Sequence, residues 1–277
     1  MMRYSSILLA LCLVGTSANA GCGPDDAKAC QLDGGEYHLA LSDEDSNGGP
    51  AVLFLHGAGS NGQNVQRNRA LVDALRARGY TVISPTGSRS FGNGNGRSWN
   101  FFPGWEGRDE TAFLKNVVDD ASRRFGIDPD RVLMSGFSAG GFMVNYLACA
   151  EPDTFAAYAP VSGGFWRPQP EDCQGPVRLF HTHGWKDKTV PLEGRFLGGK
   201  RFQQGDIFAG LELWRATNLC PDEKPTAYSQ TGDFMRRAWS ACANGSALEF
   251  ALFPGGHTVP TGWADMAIDW FETQPAD

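Results

Sequence analysis

Ser138 lies in the segment GFSAG, residues 136–140, with a glycine two positions before it and another two positions after it. The pattern G-x-S-x-G is typical of a serine held in a sharp turn, where its hydroxyl can attack a carbonyl carbon. Such an attack needs a base that removes the hydroxyl proton and an acid that orients the base. Because the chain has 35 glycines, the pattern alone is weak evidence, and its value depends on the other residues.

The base must be one of the five histidines of the chain. His257 follows an apolar segment and two glycines, and it is the best candidate; the alternative is a surface-loop histidine. His181 and His183 lie in the segment VRLFHTHG, which is predicted to form a strand, and point to the same face; such a pair could bind a metal ion, but no third ligand with suitable spacing accompanies it. We therefore expect no metal, and we expect both to be buried, hydrogen-bonded supports of the site. His38 carries no functional signal.

The acid should lie between the serine and the histidine along the chain, directly after a strand. Asp187 satisfies both conditions, because it lies just beyond the predicted strand VRLFHTHG. Asp206 and Asp233 also lie between Ser138 and His257, but neither comes directly after a buried strand. The sequence therefore predicts Asp187 as the acid.

Negative charge on the attacked carbonyl oxygen is stabilised by backbone N–H groups that point at it. One donor should be the amide of Ala139, the residue after the nucleophile. The second should come from the segment LHGAGSNG, residues 55–62, whose glycines leave backbone amides exposed. We expect this donor to be Ala58, with His56 shaping the loop rather than acting as a base.

These residues require elements that bring them together. Buried strands alternate with amphipathic helices along the whole chain, which favours a mostly parallel central sheet with helices on both faces, an α/β fold. Ser138 follows a strand and opens a helix, as a nucleophile in a sharp turn requires. The predicted strands are 36–41, 51–57, 80–85, 131–135, 155–163, 177–184 and 248–257, and the predicted helices are 68–80, 111–125, 138–150, 204–218 and 262–273.

The bulk composition limits the partners. Apolar residues make up 42% and charged residues 20% of the chain, as in a soluble globular protein. The formal net charge is −7 and no stretch is strongly basic, so nucleic acid is not expected to bind. No cofactor motif is found, and no oligomeric state follows from the sequence.

Residues 1–20 have the pattern of a secretory signal, with a basic start, an apolar centre from Ile7 to Val14, and small residues at Ala18 and Ala20. The centre is too short to span a bilayer, so no membrane association is expected after cleavage behind Ala20. A buried N-terminal helix is the alternative. The sequence therefore predicts an exported protein, in the extracellular space or the periplasm.

The remaining residues, 21–277, contain no repeat and no linker, which favours one catalytic domain. An even number of cysteines in an exported chain favours disulfides. Several pairings are open, and proximity in sequence favours two of them, which leaves the third. The favoured pairs are Cys22–Cys30, Cys220–Cys242 and Cys149–Cys173.

Several motifs occur together in this chain, in the order in which one family of secreted enzymes has them. They extend over nearly the whole chain, from about residue 36 to 272. They are LHGAGSNGQ, DRVLMSGFSAGG, HTHGWKDKTVPLEGR, QGD, the Cys220/Cys242 pair and FPGGHTVP. In this combination the chain resembles secreted esterases of the polyhydroxybutyrate depolymerase-like group, which are related to feruloyl and acetylxylan esterases. The resemblance implies an α/β-hydrolase fold, with Ser138 as nucleophile, Asp187 as acid and His257 as base.

A long loop, residues 86–110, contains several large aromatic residues and is expected at the same end of the sheet as Ser138. Trp105 in this loop and Trp185 after a later strand could stack on a phenolic acyl group or lie against a polyester surface. Alternatively, the aromatic residues Trp99, Phe101 and Phe102, with Trp105, close a small apolar core under the loop. The loop could also act as a lid.

The hypothesis from the sequence is a secreted serine esterase that works through an acyl-enzyme. Its substrates would be polyhydroxybutyrate-type polyesters or oligomers, or feruloyl and acetyl esters of plant polysaccharide. A serine peptidase on the same fold is an alternative. A catalytically silent binding module is another, and the presence of serine, aspartate and histidine in the required order argues against it.

Overall fold

A computed structural model describes residues 22–23, 28–44, 48–92, 94–243 and 245–273. The predicted secretory signal, residues 1–20, lies outside the described residues. The strands are β1 (Cys30–Leu32), β2 (Gly35–Ala40), β3 (Gly49–Leu55), β4 (Thr81–Pro85), β5 (Arg89–Ser90), β6 (Arg97–Ser98), β7 (Ile127–Phe137), β8 (Ala157–Val161), β9 (Trp166–Arg167), β10 (Arg178–Gly184), β11 (Phe196–Leu197), β12 (Phe202–Gln204), β13 (Ala227–Thr231), β14 (Phe234–Trp239) and β15 (Ala247–Phe253). The α-helices are α1 (Gly62–Arg67), α2 (Arg69–Ala77), α3 (Glu110–Phe125), α4 (Ala139–Ala150), α5 (Ile207–Thr217) and α6 (Trp263–Thr273).

Ten of the described strands form one sheet in the order β1-β2-β4-β3-β7-β8-β10-β15-β14-β13. The six strands from β4 to β15 run parallel, and antiparallel hairpins extend the sheet at both sides. Every residue of β4, β8 and β10 is buried. This burial explains why the apolar residues of β4 and β8 follow one another in the sequence rather than alternating with polar ones.

Helices cover both faces of the sheet, so the predicted fold class is confirmed. On one face α3, α4 and α5 pack through residues such as Val117, Met143 and Trp214. On the other face α2 and α6 pack through residues such as Leu75 and Ile268. No helix in the described part of the chain is long and apolar enough to cross a membrane.

The structure also contains elements that the sequence did not predict. The hairpin of β13 and β14 extends the sheet beyond β15, but β13 is almost entirely exposed, so no apolar pattern marks it. Helix α1 and the short strands β5, β6, β9, β11 and β12 contain too few residues to show a periodicity. The three favoured cysteine pairs, Cys22–Cys30, Cys149–Cys173 and Cys220–Cys242, are disulfides in the structure.

Candidate active site

The turn between β7 and α4 holds Ser138 in an unusual backbone conformation, with φ 57° and ψ −116°. A non-glycine residue at positive φ is uncommon and costs conformational energy. The turn keeps this shape because its neighbours are small: a Cβ added to Gly140 would lie 2.3 Å from the carbonyl oxygen of Leu55. The Ser138 amide also donates to the carbonyl of Val161 at 2.9 Å. The hydroxyl is thereby presented at the carboxyl edge of the parallel strands.

Ser138, His257 and Asp187 form one line of hydrogen bonds. Nδ1 of His257 lies 2.7 Å from Oδ2 of Asp187, and Nε2 lies 2.9 Å from Oγ of Ser138. A carboxylate only accepts hydrogen bonds, so Nδ1 carries the proton and donates it. In the neutral ring Nε2 is then free to accept the hydroxyl proton of Ser138. This is the arrangement in which a histidine can act as a base toward a serine.

Asp187 lies in a tight turn after β10, and its carboxylate is buried. Its Oδ1 accepts hydrogen bonds from the backbone amides of Thr189 and Val190, both at 2.8 Å. Burial opposes the charged form, but the hydrogen bonds from His257, Val190 and Thr189 outweigh it and lower the pKa of Asp187 below its ordinary value. The carboxylate is therefore charged where it can orient and stabilise a protonated His257.

The loop after β15 places His257 against the end of β10. The amide of Lys186 donates to the carbonyl of Gly255 at 3.0 Å, and a Cβ added to Gly184 would lie 2.4 Å from the carbonyl oxygen of Gly256. The His257 ring packs against Phe137, with ring centroids 4.6 Å apart. Its side chain is still 18% exposed, so a substrate can reach it.

The two predicted oxyanion donors belong to the helix that follows Ser138 and to the loop after β3. Ala139 is the first residue of α4, where a backbone N–H has no partner within the helix. Ala58 is exposed in the loop after β3, next to Gly57. An added Cβ on Gly57 would lie 3.4 Å from Cβ of Ser138, so this loop contacts the turn directly. Both amides are thus available near the serine, and their function remains a prediction.

His56 holds the loop that carries Ala58. Its Nε2 accepts a hydrogen bond from the amide of Gly87 at 3.0 Å, and its Nδ1 donates to the carbonyl of Gly57 at 2.8 Å. Its own carbonyl accepts from Nε1 of Trp99 at 2.8 Å. Burial lowers the pKa of His56 to about 4, so the ring stays neutral and keeps Nε2 as an acceptor. The histidine shapes the loop, as the sequence suggested.

His181 and His183 are both buried and hydrogen-bonded to each other, with Nε2 of His181 at 3.1 Å from Nδ1 of His183. Nε2 of His183 donates to the carbonyl of Val190 at 2.8 Å, so His183 supports the turn that holds Asp187. Burial lowers the pKa of both rings. Among the described residues there is no group of three or more side chains that could hold a metal ion.

The two competing aspartates have other positions. Asp206 caps the N-terminus of α5, where its carboxylate accepts from the amides of Phe208 and Ala209 at 2.7 and 3.1 Å. Asp233 lies in the turn between β13 and β14. Neither hydrogen-bonds to a histidine within the described chain.

The aromatic residues of loop 86–110 divide into two groups. Trp99 is fully buried against His56 and belongs to the core. Trp105 is half-buried among the rings of Phe101, Phe102 and Trp166, with the Arg89 guanidinium 3.9 Å from its ring centroid. This packing favours the alternative of a small apolar core under the loop. Trp185 differs, because it is 47% exposed at the end of β10, two residues before Asp187.

A buried carboxylate that the sequence reasoning missed holds loop 86–110 in place. Glu110 accepts from the Ser88 hydroxyl at 2.7 Å, from the amide of Asn100 at 3.1 Å, and from the guanidinium of Arg108. Arg108 also donates to the carbonyl of Thr86 at 3.0 Å. An arginine and a glutamate two residues apart are common in any chain, so no sequence signal marks this pair. The bonds tie both ends of the loop to one point, which favours a fixed wall over a moving lid.

Comparison with known proteins shows similarity to ester hydrolases. A family model described as phospholipase/carboxylesterase matches residues 38–203. A probable feruloyl esterase C of Aspergillus clavatus is 29% identical, over 94% of this chain and 92% of the relative. The bifunctional acetylxylan esterase/xylanase XynS20E of Neocallimastix patriciarum is 26% identical over 89% of this chain, which spans 34% of that relative. Poly(3-hydroxyalkanoate) depolymerase C of Paucimonas lemoignei is 32% identical over 76% of this chain, which spans 55% of that relative.

Among solved structures, an acetyl xylan esterase from Aspergillus awamori superposes with a TM-score of 0.65. The superposition covers 86% of this chain and 93% of that protein, at 17% sequence identity. At this identity the likeness supports the fold and nothing further.

Proposed function

This chain is an ester hydrolase that belongs to the phospholipase/carboxylesterase family, and from that premise we propose that it cleaves carboxylic esters through an acyl-enzyme formed on Ser138. The observation that carries the proposal is the continuous line of hydrogen bonds from Ser138 through His257 to Asp187, at 2.9 and 2.7 Å. The proposed mechanism uses only side chains and backbone amides of the chain itself.

In the first half of the reaction, Oγ of Ser138 attacks the carbonyl carbon of the ester while its proton passes to Nε2 of His257. The charged Asp187 stabilises the imidazolium that results. The carbonyl oxygen becomes negatively charged and is held by the amides of Ala58 and Ala139. The bond between the carbonyl carbon and the alcohol oxygen then breaks, and His257 gives its proton to the leaving alkoxide.

In the second half, water takes the place of the alcohol. His257 removes a proton from the water as it attacks the acyl-enzyme, and the same two amides hold the oxyanion again. When the bond to Ser138 breaks, the proton returns from His257 to the serine oxygen. The carboxylic acid leaves, and the enzyme is ready for another ester.

The names of the relatives suggest the substrates. They are a feruloyl esterase, an acetylxylan esterase and a poly(3-hydroxyalkanoate) depolymerase. We propose that this chain acts on feruloyl or acetyl esters of plant polysaccharide or on hydroxyalkanoate polyesters and their oligomers. Trp185, and to a smaller extent Trp105, would contact the substrate.

The three disulfides support an oxidising compartment, since such bonds are rare in the cytosol. We propose that the protein is exported, that residues 1–20 are removed, and that residues 21–277 form a single catalytic domain. Export would suit an enzyme whose substrates are polymers outside the cell.

Hydrolysis assays test this function. The purified protein should cleave 4-nitrophenyl acetate or butyrate, and methyl ferulate, acetylated xylan and hydroxybutyrate oligomers would rank the substrates. Ser138→Ala should abolish the activity on every ester. A matched control is Ser162→Ala, because Ser162 also has a positive φ of 51° at a strand end, and its buried hydroxyl has no hydrogen-bond partner among the described residues.

Three outcomes would contradict the proposal. Cleavage of casein or a peptide without cleavage of esters would favour the peptidase alternative. No hydrolysis of any substrate would favour a silent binding module. Full activity of the Ser138→Ala variant would mean that another residue is the nucleophile.

A further inference from the structure

The segment of residues 185–205, which passes around Asp187, is basic, although the chain has a net charge of −7. It contains five cationic side chains and only two carboxylates, one of which is the buried Asp187. The cations are Lys186, Lys188, Arg195, Lys200 and Arg201. The charge of this segment therefore opposes the charge of the rest of the protein.

Three of these cations lie in or against the turn that holds Asp187. Lys186 and Lys188 flank Asp187 directly, and both are exposed. Nε of Arg195 donates to the carbonyl of Thr189 at 2.7 Å, and the amide of Thr189 donates to Asp187. On this side of Ser138 the three cations surround the turn that orients His257.

A fourth cation lies on the other side of Ser138. The backbone of Arg97 accepts a hydrogen bond from the amide of Gly59 at 2.9 Å and donates to the carbonyl of Ser60 at 2.9 Å. Both partners are in the loop that carries Ala58. We call Arg97, Lys186, Lys188 and Arg195 the basic rim.

The four cations of the basic rim form no ion pair with a described carboxylate, although many cations elsewhere do. Elsewhere cations are commonly paired, as in Arg76 with Asp43, Arg78 with Asp269, and Arg236 with Glu249. Within the described chain, no carboxylate lies within 4.0 Å of a charged nitrogen of the basic rim. The side chains of Arg97 and Arg195 instead donate to neutral oxygens. The cations of the basic rim are therefore not paired with a carboxylate of the described residues.

We propose that the basic rim selects esters that carry a carboxylate away from the scissile bond; this rests on the esterase function proposed above. Charges of one sign around a cleft raise the local concentration of oppositely charged substrate and the rate of association. The effect weakens with salt, because exposed charges are screened over about 10 Å at 0.1 M ionic strength. Free acid ends of oligoesters and acidic sugars of polysaccharides both offer such a carboxylate.

Matched esters that differ in one charge test the proposal. For a carboxylate on the acyl side, kcat/KM for mono-4-nitrophenyl adipate is compared with kcat/KM for 4-nitrophenyl hexanoate. For a carboxylate on the alcohol side, 3-acetoxybenzoate is compared with 3-acetoxybenzamide. At low salt we expect the anionic member of at least one pair to be preferred, and the ratio to fall by about fivefold in the double variant Lys186→Gln, Lys188→Gln. The acyl-side pair reports on oligoester-like acids and the alcohol-side pair on carboxylates borne by the alcohol.

The double variant Lys224→Gln, Arg237→Gln is the matched control, because it removes two exposed cations outside the basic rim. In this control, the ratio of kcat/KM for the anionic ester to kcat/KM for the neutral ester should equal that of the wild type. Salt at about 0.5 M should lower the wild-type ratio to that of the Lys186→Gln, Lys188→Gln variant. A preference for the neutral ester in both pairs, or an equal fall of the ratio in the control variant, would overturn the proposal.

A binding measurement separates this proposal from the esterase function. The Ser138→Ala variant is titrated with monomethyl adipate and with dimethyl adipate, followed by tryptophan fluorescence, since Trp185 is exposed beside Lys186. Tighter binding of the monoester supports the rim even if the wild type hydrolyses no ester, a result that would contradict the esterase function alone. Equal or weaker binding of the monoester would contradict the proposed selection of carboxylates by the basic rim.

Discussion

The carboxyl edge of the central sheet, where its parallel strands end, and the amino edge, where they begin, differ in how they use their polar groups. At the carboxyl edge, Ser138 has a positive φ, the loop that carries Ala58 contacts the turn that holds the serine, and His257 is partly exposed. At the amino edge a wide groove of about 680 Å³ lies between the ends of β7, β8 and β10. The described lining of this groove contains no histidine, serine or cysteine.

The polar groups of the amino edge bond to the loops of that same edge. The Tyr158 hydroxyl donates to the carbonyl of Pro152 at 2.8 Å and accepts from the amide of Phe155 at 3.2 Å. Burial raises the pKa of this hydroxyl, so it stays protonated and structural. A groove by itself therefore does not make a site. Reactive groups meet at the edge where parallel strands end and helices begin.

After Ser138→Ala, the largest effect should come from Asp187 at the carboxyl edge. Asp187→Asn replaces an acceptor with an amide that can donate to Nδ1 of His257, and the ring then holds its proton on the wrong nitrogen. We expect kcat to fall by about 10⁴-fold, with little change in fold. Steady-state kinetics with 4-nitrophenyl butyrate and far-UV circular dichroism measure both effects. A loss smaller than about tenfold would mean that another acid orients His257.

The second effect concerns the buried His56, whose pKa is lowered from 6.5 to about 4. In the unfolded chain His56 takes up a proton as the pH falls through 6.5, whereas the folded chain keeps it neutral until about pH 4. The unfolded state therefore binds more protons in this window, and stability decreases as the pH falls from 6.5 to about 4. This shift of the pKa corresponds to a loss of at most about 3 kcal/mol in the free energy of unfolding.

Urea unfolding at several pH values between about 7.5 and 4 measures this dependence. The variant His56→Gln should show a shallower decrease of the free energy of unfolding than the wild type. Part of the slope will remain, because burial also lowers the pKa of His181 and His183. Identical slopes for variant and wild type would show that His56 does not carry the effect.

The third prediction compares two tryptophans of the carboxyl edge. Trp105→Ala removes a ring packed among other aromatic rings and should lower the free energy of unfolding by about 2 kcal/mol. Trp185→Ala removes an exposed ring and should change stability by less than about 0.5 kcal/mol, while KM for methyl ferulate rises severalfold. Thermal unfolding and kinetics separate the two. If Trp185→Ala leaves KM unchanged, Trp185 does not contact the substrate.

The smallest effect belongs to the amino edge. Tyr158→Phe removes a hydroxyl with three backbone partners and should destabilise the protein by about 1 kcal/mol, with kcat/KM unchanged. Urea unfolding and ester hydrolysis by the same preparation measure both quantities. A fall of kcat/KM in this variant would mean that the amino edge is coupled to the active site, and the contrast between the edges would not hold.

Much of the fold follows from local patterns. The strands β3 and β4 contain successive apolar residues, and α3 has its apolar residues on one face, so the sequence predicts them closely. The hairpin of β13 and β14 was missed because its side chains are largely exposed, and an exposed strand lacks an apolar pattern. Its position depends on backbone pairing with β15, which is a tertiary interaction.

The residues of the candidate site also fall into those that the sequence predicts and those that it does not. Ser138, Asp187 and His257 could be singled out because each stands directly after a buried strand, and parallel strands place their carboxyl ends at one edge. Glu110 could not, since its partners Ser88 and Asn100 lie in a loop without periodicity, and no sequence pattern shows that Trp99 donates to the carbonyl of His56. Only the folded chain shows that these residues hold the wall beside the serine.

Residue type, residue order and strand direction are local properties, and they were enough to predict the α/β fold, the family and the three residues proposed for catalysis. The hydrogen-bonded line from Ser138 to Asp187, the burial of Trp99 and the unpaired charges of the basic rim came only from the tertiary structure. Hydrogen bonds, burial and ion pairing depend on distances between residues far apart in the chain. His257 and Ser138 are 119 positions apart in sequence and 2.9 Å apart in space.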